Sequence, residues 1–123
     1  MKLENRKRLL IDFDGVIHKY SKGYFDGTCY DEPMEKSFEK LQILYDQGFE
    51  LYVFSARCES EEGVEAIKRW FSFHSVESTF ENWRTWVFIE KLKYTNEKLP
   101  ALAYIDDRGI RFTNWEDIVK YFI

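Results

Sequence analysis

The stretch of sequence that decides the fold is residues 9–15, LLIDFDG, in which an apolar run ends in two carboxylates and a glycine. Near the far end of the chain, residues 101–107, ALAYIDD, repeat this arrangement of an apolar run followed by two aspartates. Short apolar runs of this length are typical of buried strands, so both aspartate pairs are predicted at strand ends. Like charges repel strongly where solvent is scarce, unless a cation lies between them. The pattern therefore indicates a hard divalent cation, Mg²⁺, with oxygen ligands, beside a carboxylate placed to attack.

The order of apolar patterns along the chain predicts the fold class. Apolar runs that are typical of strands alternate with stretches in which apolar residues recur at helical spacing. Such alternation predicts an α/β fold, a Rossmann-like parallel sheet flanked by helices and joined by right-handed crossovers. Asn114 is the expected N-cap of the last helix. The predicted elements are strand 9–13, helix 34–47, strand 49–54, helix 60–73, strand 102–105 and helix 115–122.

Two segments fit this alternation less well. Residues 18–31 carry glycines and alternating aromatic side chains, which predicts a β-hairpin or an ordered loop at the place where a flap would lie. Residues 75–97 leave two alternatives open, a helix or a strand over 85–89, TWVFI. The aromatic residues of the flap are predicted either to cover a bound substrate or to pack the hairpin onto the body of the protein. They are Tyr20, Tyr24, Phe25 and Tyr30.

Length and composition restrict the class of protein. A chain of 123 residues with 45% hydrophobic and 33% charged residues fits one globular domain over 1–123. The net charge of -4 argues against broad binding of nucleic acid or anionic membranes, because both need a basic face. No apolar stretch has membrane-spanning length, and the two cysteines, Cys29 and Cys58, lack CxxC spacing. These features predict a soluble protein in a reducing, cytoplasmic setting.

Further polar residues flank the predicted strands. Ser55 and Arg57 follow strand 49–54, and Lys98 shortly precedes strand 102–105. In an open parallel sheet, ligands bind beyond the carboxyl ends of the strands, where helix N-termini also direct their N–H groups. These side chains are therefore predicted to lie with the aspartates and to bind an anionic group such as phosphate.

These motifs, in this order, resemble those of the haloacid dehalogenase-like superfamily of phosphohydrolases, over nearly the whole chain. The DxDG motif of that family corresponds to 12–15, its strand-terminal Ser/Thr to Ser55, its lysine to Lys98 and its acidic motif to 106–107. The ending KLPALAYIDDRGIRF, residues 98–112, looks like that of the small bacterial and phage members. A lysine shortly before paired aspartates is also similar to the deoxyribonucleotidase branch.

The resemblance implies a catalytic role for four residues. Asp12 would attack phosphorus and give an aspartyl phosphate that water then cleaves. Asp14 would protonate the leaving alcohol and later activate the water. Ser55 would donate its hydroxyl to a phosphoryl oxygen, and Lys98 would neutralise charge on the phosphate and the nucleophile.

The resemblance also implies the ligands of the metal. Mg²⁺ would be held by Asp12, Asp106 and the backbone carbonyl of Asp14. Asp107 would be a further ligand, or would orient the others from outside the coordination sphere. Positions would remain for water and for a phosphate oxygen.

Several basic residues leave alternatives open. Lys91 and Lys93 lie near Lys98 in sequence and are alternatives for the lysine of the site. Arg57 and Arg108 are candidates for binding a second anionic group, and the alternative for both is an ion pair that braces Asp106 or Asp107. His18 is close to Asp14 in sequence and is a candidate for contact with substrate, but a histidine in a flap is more often an exposed bystander, which is the expectation here.

The larger members of the family carry a cap domain, which this chain has no room to insert after its first motif. Only 40 residues, 15–54, separate Asp14 from Ser55, and a helix and a strand take most of them. The open site would be covered by a flap or by a neighbouring subunit of a homo-oligomer. The leading hypothesis is an Mg²⁺-dependent phosphomonoesterase acting on a small phosphorylated metabolite, with a nucleotide as one candidate. The alternatives are a nucleic-acid end phosphatase, which the acidic balance disfavours, and a non-catalytic phosphate- or metal-binding module, which would not need Asp14.

Overall fold

The computed structural model describes residues 7–78, 86–106, 110–111 and 113–122. These residues form strands and helices that alternate along most of the chain. Between the second strand and the second helix lies a short 3₁₀ helix, Ala56–Glu59. The elements in order are β1 (Arg8–Asp12), α1 (Ser37–Asp46), β2 (Glu50–Phe54), α2 (Glu61–Ser78), α3 (Val87–Lys91), β3 (Lys93–Thr95), β4 (Ala103–Asp106), β5 (Ile110–Arg111) and α4 (Trp115–Lys120).

The described strands form one sheet in the order β3-β2-β1-β4-β5, and all neighbouring pairs are parallel. The central strand β1 pairs with β2 on one side and with β4 on the other, so that Ile11 lies between Val53 and Ile105. The predicted α/β architecture with a parallel sheet is therefore confirmed. Asp12 and Asp106 end neighbouring strands, because β1 and β4 are adjacent although about 90 residues separate them in sequence.

The main core lies on one face of the sheet. Side chains alternate between the faces of a strand, and Leu9 and Ile11 of β1 share the core with Val53 of β2 and Ile105 of β4. All four are 1% exposed or less. The helices cover this face with large side chains at helical spacing, which include Phe38, Leu41 and Leu44 of α1, Ile67, Trp70 and Phe71 of α2, Phe88 of α3, and Trp115 and Ile118 of α4.

The opposite face carries long basic side chains over aromatic rings. The Arg8 guanidinium lies 5.0 Å from the ring centroid of Tyr52, and the Lys98 amine lies 5.2 Å from that of Tyr104. The connection between β3 and β4 is held to this part of the sheet, because the Tyr104 hydroxyl donates to the Leu99 carbonyl and Arg8 donates to the Pro100 carbonyl. Lys98 is therefore placed beside β4.

The helices differ from the prediction at their ends. The first helix begins at Ser37 and not at residue 34, because Lys36 has a φ of 65°, a left-handed conformation that cannot continue a right-handed helix. The second helix runs to Ser78, beyond the predicted residue 73. Asn114 is the N-cap of α4 as predicted, since its side-chain oxygen accepts from the Asp117 backbone N–H at 2.9 Å.

The ambiguous segment 75–97 contains both types of structure. Its first part completes α2, residues 87–91 form α3, and residues 93–95 form β3 at the edge of the sheet. Of the two alternatives, a helix or a strand, residues 87–89 have the helix, and residues 79–85 lie outside the described residues. None of the described helices combines the length and the apolar character needed to cross a membrane.

Residues 13–36, all of which are described, form turns and isolated bridges and no extended strand. We call residues 19–32 the aromatic loop. Its base is closed by an antiparallel bridge between His18 and Pro33 and by a hydrogen bond from the Lys19 N–H to the Glu32 carbonyl. Of the two alternatives, hairpin strands or an ordered loop, the structure has the loop, because Tyr20 and Phe25 at φ 56° and 48° interrupt any extended backbone.

Candidate active site

The register of the sheet brings Asp12 and Asp106 together. Ile11 pairs with Ile105, and each aspartate is the next residue and the last one of its strand. Adjacent parallel strands lie about 4.8 Å apart, and residues at the same register position point to the same face. Both aspartates are half-buried. The predicted nucleophile and the predicted metal ligand are therefore neighbours at the carboxyl edge of the sheet.

A tight turn directly after β1 positions Asp14. The Phe13 carbonyl accepts hydrogen bonds from the N–H groups of Ile17 and His18, both at 2.9 Å, and Gly15 has the positive φ of 85° that the turn requires. Residues four apart in such a helical turn lie on one side of it. The turn therefore brings the side chains of Asp14 and His18 together.

His18 is fully buried and holds Asp14 through one ring nitrogen. Its Nδ1 lies 2.8 Å from Oδ1 of Asp14, and its Nε2 accepts from the Asp31 backbone N–H at 2.9 Å. Because a backbone N–H can only donate, the neutral imidazole must carry its proton on Nδ1, and this N–H donates to the Asp14 carboxylate. The ring stacks on Phe13 at 5.1 Å between centroids and meets Trp70 edge to face.

Arg57 binds the other side of the Asp14 carboxylate. Its Nε donates to Oδ2 at 3.0 Å, and its Nη2 donates to Oδ1 at 3.2 Å. The remaining donors reach the aromatic loop, where Nη1 donates to the Gly27 carbonyl at 2.6 Å and Nη2 to the Thr28 carbonyl at 3.3 Å. The predicted alternative, an ion pair of Arg57 with Asp106 or Asp107, is therefore corrected: Arg57 pairs with Asp14, which its short 3₁₀ helix after β2 brings into reach.

These contacts set the charge state of Asp14. Its burial acts to raise its pKa, but the hydrogen bonds from His18 and Arg57 and the charge of Arg57 outweigh burial, so the pKa lies below its ordinary value. Asp14 is therefore a carboxylate at neutral pH in the protein as it stands.

Ser55 lies at the carboxyl end of β2, next to β1, and is 5% exposed. Its Oγ accepts from the Arg57 N–H at 3.1 Å and caps the short 3₁₀ helix. A serine hydroxyl that accepts in this way keeps its own proton for donation to a ligand. The cap and the predicted contact with a phosphoryl oxygen are therefore compatible.

The lysines occupy different parts of the fold. Lys91 and Lys93 line a surface cavity with Gly48 and Phe49, before the start of β2 and at the amino end of the sheet. Ligand sites of open parallel sheets lie at the other end. Lys98 is exposed, and its amine lies over the ring of Tyr104. Tyr104 is two residues before Asp106 and therefore on the same face of β4. The placement favours Lys98, although the contact that the structure gives it is with an aromatic ring.

The side chains at the carboxyl edge of the sheet can be compared with the ligands that a divalent metal needs. Among the described residues no group of three His, Cys, Asp or Glu side chains is gathered for a metal, and the side chain of Asp14 is engaged by His18 and Arg57. Mg²⁺ needs fewer protein ligands, because it keeps several waters and is commonly bound by one or two carboxylates. The neighbouring carboxylates of Asp12 and Asp106 fit that donor set. Asp107 and Arg108 lie outside the described residues.

The residue that sequence reasoning missed is His18. The sequence predicts an exposed side chain, whereas His18 is 0% exposed and is the most completely buried polar residue at the site. Two signals in the sequence were available: it follows the apolar pair Val16-Ile17, and it lies four residues after Asp14 beyond a glycine. Comparison of the chain with protein-family models, with curated proteins and with solved structures found no match.

Proposed function

We propose that the protein is an Mg²⁺-dependent phosphomonoesterase of the haloacid dehalogenase-like type, without a cap domain, that acts through an aspartyl phosphate on Asp12. The observation that carries the proposal is the position of three aspartates at one edge of the parallel sheet. Asp12 and Asp106 end neighbouring strands at the same register, and Asp14 is fixed beyond them by His18 and Arg57. A nucleophile, a metal ligand and an acid/base group would thereby be supplied at one edge of the sheet.

The proposed reaction has two steps. In the first, a carboxylate oxygen of Asp12 forms a bond to phosphorus, the ester P–O bond breaks, and the leaving oxygen takes a proton from Asp14. In the second, Asp14 takes a proton from water as the water oxygen attacks phosphorus, which releases phosphate and restores the Asp12 carboxylate. The proton that Asp14 gives in the first step is thus recovered in the second.

Mg²⁺ would be held by Asp12, Asp106 and the backbone carbonyl of Asp14, with Asp107 as a further candidate. When bound, it would neutralise the charge of the phosphoryl group and of the neighbouring carboxylates. Ser55 would donate its hydroxyl to a phosphoryl oxygen, and the amine of Lys98 would have to leave the ring of Tyr104 to reach one.

Arg57 links substrate binding to Asp14 in this proposal. Its guanidinium donates to Asp14 in the structure, and phosphoryl oxygens would compete for the same donors. Asp14 must carry a proton in the first step. When the Arg57 guanidinium donates to the phosphoryl group and no longer to Asp14, Asp14 would lose an interaction that favours its ionised form. Arg57 would then act as the phosphate ligand that the sequence predicts.

The aromatic loop is proposed as the flap of the site. It makes up most of the stretch between Asp14 and α1, and the bonds from Arg57 to Gly27 and Thr28 tie it to Asp14. Tyr24 and Phe25 at its tip are 74% and 60% exposed. An exposed aromatic pair on a loop held at the site is suited to cover a bound substrate.

The test is hydrolysis of p-nitrophenyl phosphate by the purified protein, with Mg²⁺ and with the metal removed by a chelator. The proposal predicts turnover that needs Mg²⁺. Binding of Mg²⁺ and phosphate without turnover of this ester or of a panel of metabolite phosphates would instead identify a non-catalytic binding module.

A further inference from the structure

A large surface groove lies between the aromatic loop and α2. Its volume is about 1020 Å³, and it begins at Arg57, which it shares with the candidate active site, and reaches Phe73 and His74. From Gly63 to His74 the helix advances about 16 Å at 1.5 Å per residue. A phosphoryl group occupies only a small part of such a length, so the groove has room for the rest of a substrate.

Some charges along the groove already have partners. The Arg57 guanidinium is paired with Asp14, and the Glu32 carboxylate lies 3.3 Å from the amine of Lys19. These two pairs contribute little net charge to the groove.

The remaining charges are mainly negative. The Asp31 carboxylate accepts three hydrogen bonds, two from Ser21 and one from the Glu32 backbone, and all three donors are neutral. Glu59 and Glu62 are exposed on the groove wall, and neither forms an ion pair with any described residue. The exposed guanidinium of Arg69 is the opposing charge. The groove therefore presents an excess of carboxylates to a ligand.

Aromatic side chains line the same groove. Trp70 lines the groove from the core: it is 4% exposed, and its indole N–H donates to the Asp31 carbonyl at 2.8 Å. Phe73 is 65% exposed and packs edge to face against His74, and Tyr30 lies on the opposite wall. The rings open to the groove are therefore those of Phe73 and, in part, Tyr30. The faces of such rings attract cations, and aromatic rings together with carboxylates are a means by which proteins recognise organic ammonium groups.

We propose that the groove binds an organic ammonium group on the leaving-group part of the phosphomonoester substrate. This inference rests on the proposed phosphatase function for the position of the phosphate. The carboxylates and the aromatic faces both favour a cation, whereas a nucleotide with further phosphates, or a nucleic-acid strand, would meet like charges along the groove. The preferred substrates are therefore amine-bearing phosphate esters.

The first experiment compares three aryl phosphates whose para substituents differ chiefly in charge, at low ionic strength. They are O-phosphotyramine, which carries an ammonium group, neutral p-tolyl phosphate, and 4-(carboxymethyl)phenyl phosphate, which carries an added carboxylate. We expect kcat/KM to fall in that order. Exposed ion pairs contribute about 0.2–1 kcal/mol each, so each carboxylate gives a preference of about 1.4- to 5-fold.

Matched variants on α2 and the preceding 3₁₀ helix locate the source of the preference. Glu59→Gln and Glu62→Gln together should reduce the ratio of kcat/KM for the tyramine ester to kcat/KM for the tolyl ester. They should leave turnover of the tolyl ester unchanged. Glu65→Gln is the control, since Glu65 is on α2, outside the groove, and pairs with Lys68. Equal kcat/KM for all three esters, or the same reduction by Glu65→Gln, would overturn the proposal.

Binding of tyramine itself tests the groove without turnover. In a titration followed by NMR, tyramine should shift the indole N–H signal of Trp70, and the Glu59→Gln, Glu62→Gln variant should weaken this binding several-fold. If the protein binds tyramine in this way but hydrolyses no phosphate ester, the proposed phosphatase function is refuted and the proposed ammonium site is supported. Active hydrolysis without the shift and without charge preference would refute the ammonium site alone.

Discussion

His18 and Asp14 are joined by a hydrogen bond of 2.8 Å in which the buried imidazole donates from Nδ1 and, through Nε2, accepts from the Asp31 backbone. The ring is fixed on both sides, because Phe13 stacks on it and Trp70 contacts its edge. A side chain held in this way can fix the direction of the carboxylate that it binds. Asp14 is thus oriented by a neutral residue in addition to the charged Arg57.

The first prediction separates the two hydrogen bonds of His18. His18→Asn keeps an N–H donor near the position of Nδ1, whereas His18→Gln keeps an acceptor near Nε2 and loses the donor to Asp14. A misplaced acid harms esters of poor leaving groups most, so His18→Gln should lower kcat for alkyl phosphates by roughly 10- to 100-fold and kcat for p-nitrophenyl phosphate much less. His18→Asn should retain most activity on both.

The control for His18 is the melting temperature of each variant. If both variants lose activity on alkyl and aryl esters equally, and in proportion to the fall in Tm, then His18 only supports the fold and does not orient Asp14.

A second prediction concerns the metal ligand Asp106. Asp106→Asn should weaken Mg²⁺ binding by roughly tenfold or more, because one of two neighbouring carboxylates loses its charge. Calorimetric titration measures the affinity directly. Asp46→Asn, at the end of α1, keeps the oxygen that accepts from Gln42 and is the control. Unchanged Mg²⁺ affinity in Asp106→Asn would remove Asp106 from the site.

A third prediction concerns stability in acid. Hydrogen bonds from the Ser21 hydroxyl and N–H and, to a smaller extent, from the Glu32 N–H lower the pKa of Asp31 to about 2 from its ordinary 3.8. A carboxylate with a lower pKa in the folded state binds fewer protons than in the unfolded state. The contribution of such a carboxylate to the free energy of unfolding is complete at pH values above its pKa in the unfolded state. It is lost as the pH falls through its pKa in the folded state. The pKa of Asp14 is lowered too, so Tm should fall as the pH is lowered from about 4 to about 2.

Asp31→Asn should make this fall shallower. The variant should lower Tm at neutral pH and approach the wild type at about pH 2, where the wild-type carboxylate is itself becoming protonated. A constant difference in Tm across the whole range would show that the charge of Asp31 is not the source of the effect.

A fourth prediction concerns Gly63, where α2 passes close to the 3₁₀ helix. A Cβ at Gly63 would lie 1.7 Å from the Arg57 carbonyl oxygen. Alanine is the better helix former by about 1 kcal/mol, but overpacking against backbone costs about 1–3 kcal/mol and the clash is severe. Gly63→Ala should therefore lower Tm by several degrees and disturb the backbone that carries Arg57. Ser72→Ala, on an exposed position of α2, is the control and should leave Tm nearly unchanged. An equal Tm for both variants would contradict the close contact.

The sheet and its carboxyl edge follow from local sequence patterns. The apolar runs before Asp12 and Asp106 predict β1 and β4, and both strands end within one residue of the predicted position. The adjacency of these strands is a matter of topology, and no local pattern contains it. The short edge strand β3 was also beyond prediction, since three residues, Lys93–Thr95, are too few to show a period of two.

The arrangement of the site was less predictable than its composition. Asp14 and Arg57 could be named from their motifs, but their pairing depends on a contact across 43 residues. The burial of His18 depends on a turn that Gly15 permits and on rings from distant elements, such as Trp70 of α2. Periodicity describes which face of an element is buried, and it carries no information on contacts between loops.

The most direct test of the central claim is to trap the phosphorylated enzyme. The protein is mixed with a phosphomonoester and Mg²⁺, quenched rapidly in acid, digested, and analysed by mass spectrometry. The account predicts a peptide that carries one phosphoryl group on Asp12, which is absent without Mg²⁺ and absent from Asp12→Asn, a nearly isosteric variant that should remain folded and lose turnover. Wild-type turnover by Asp12→Asn, or a phosphoryl group on another residue, would contradict it.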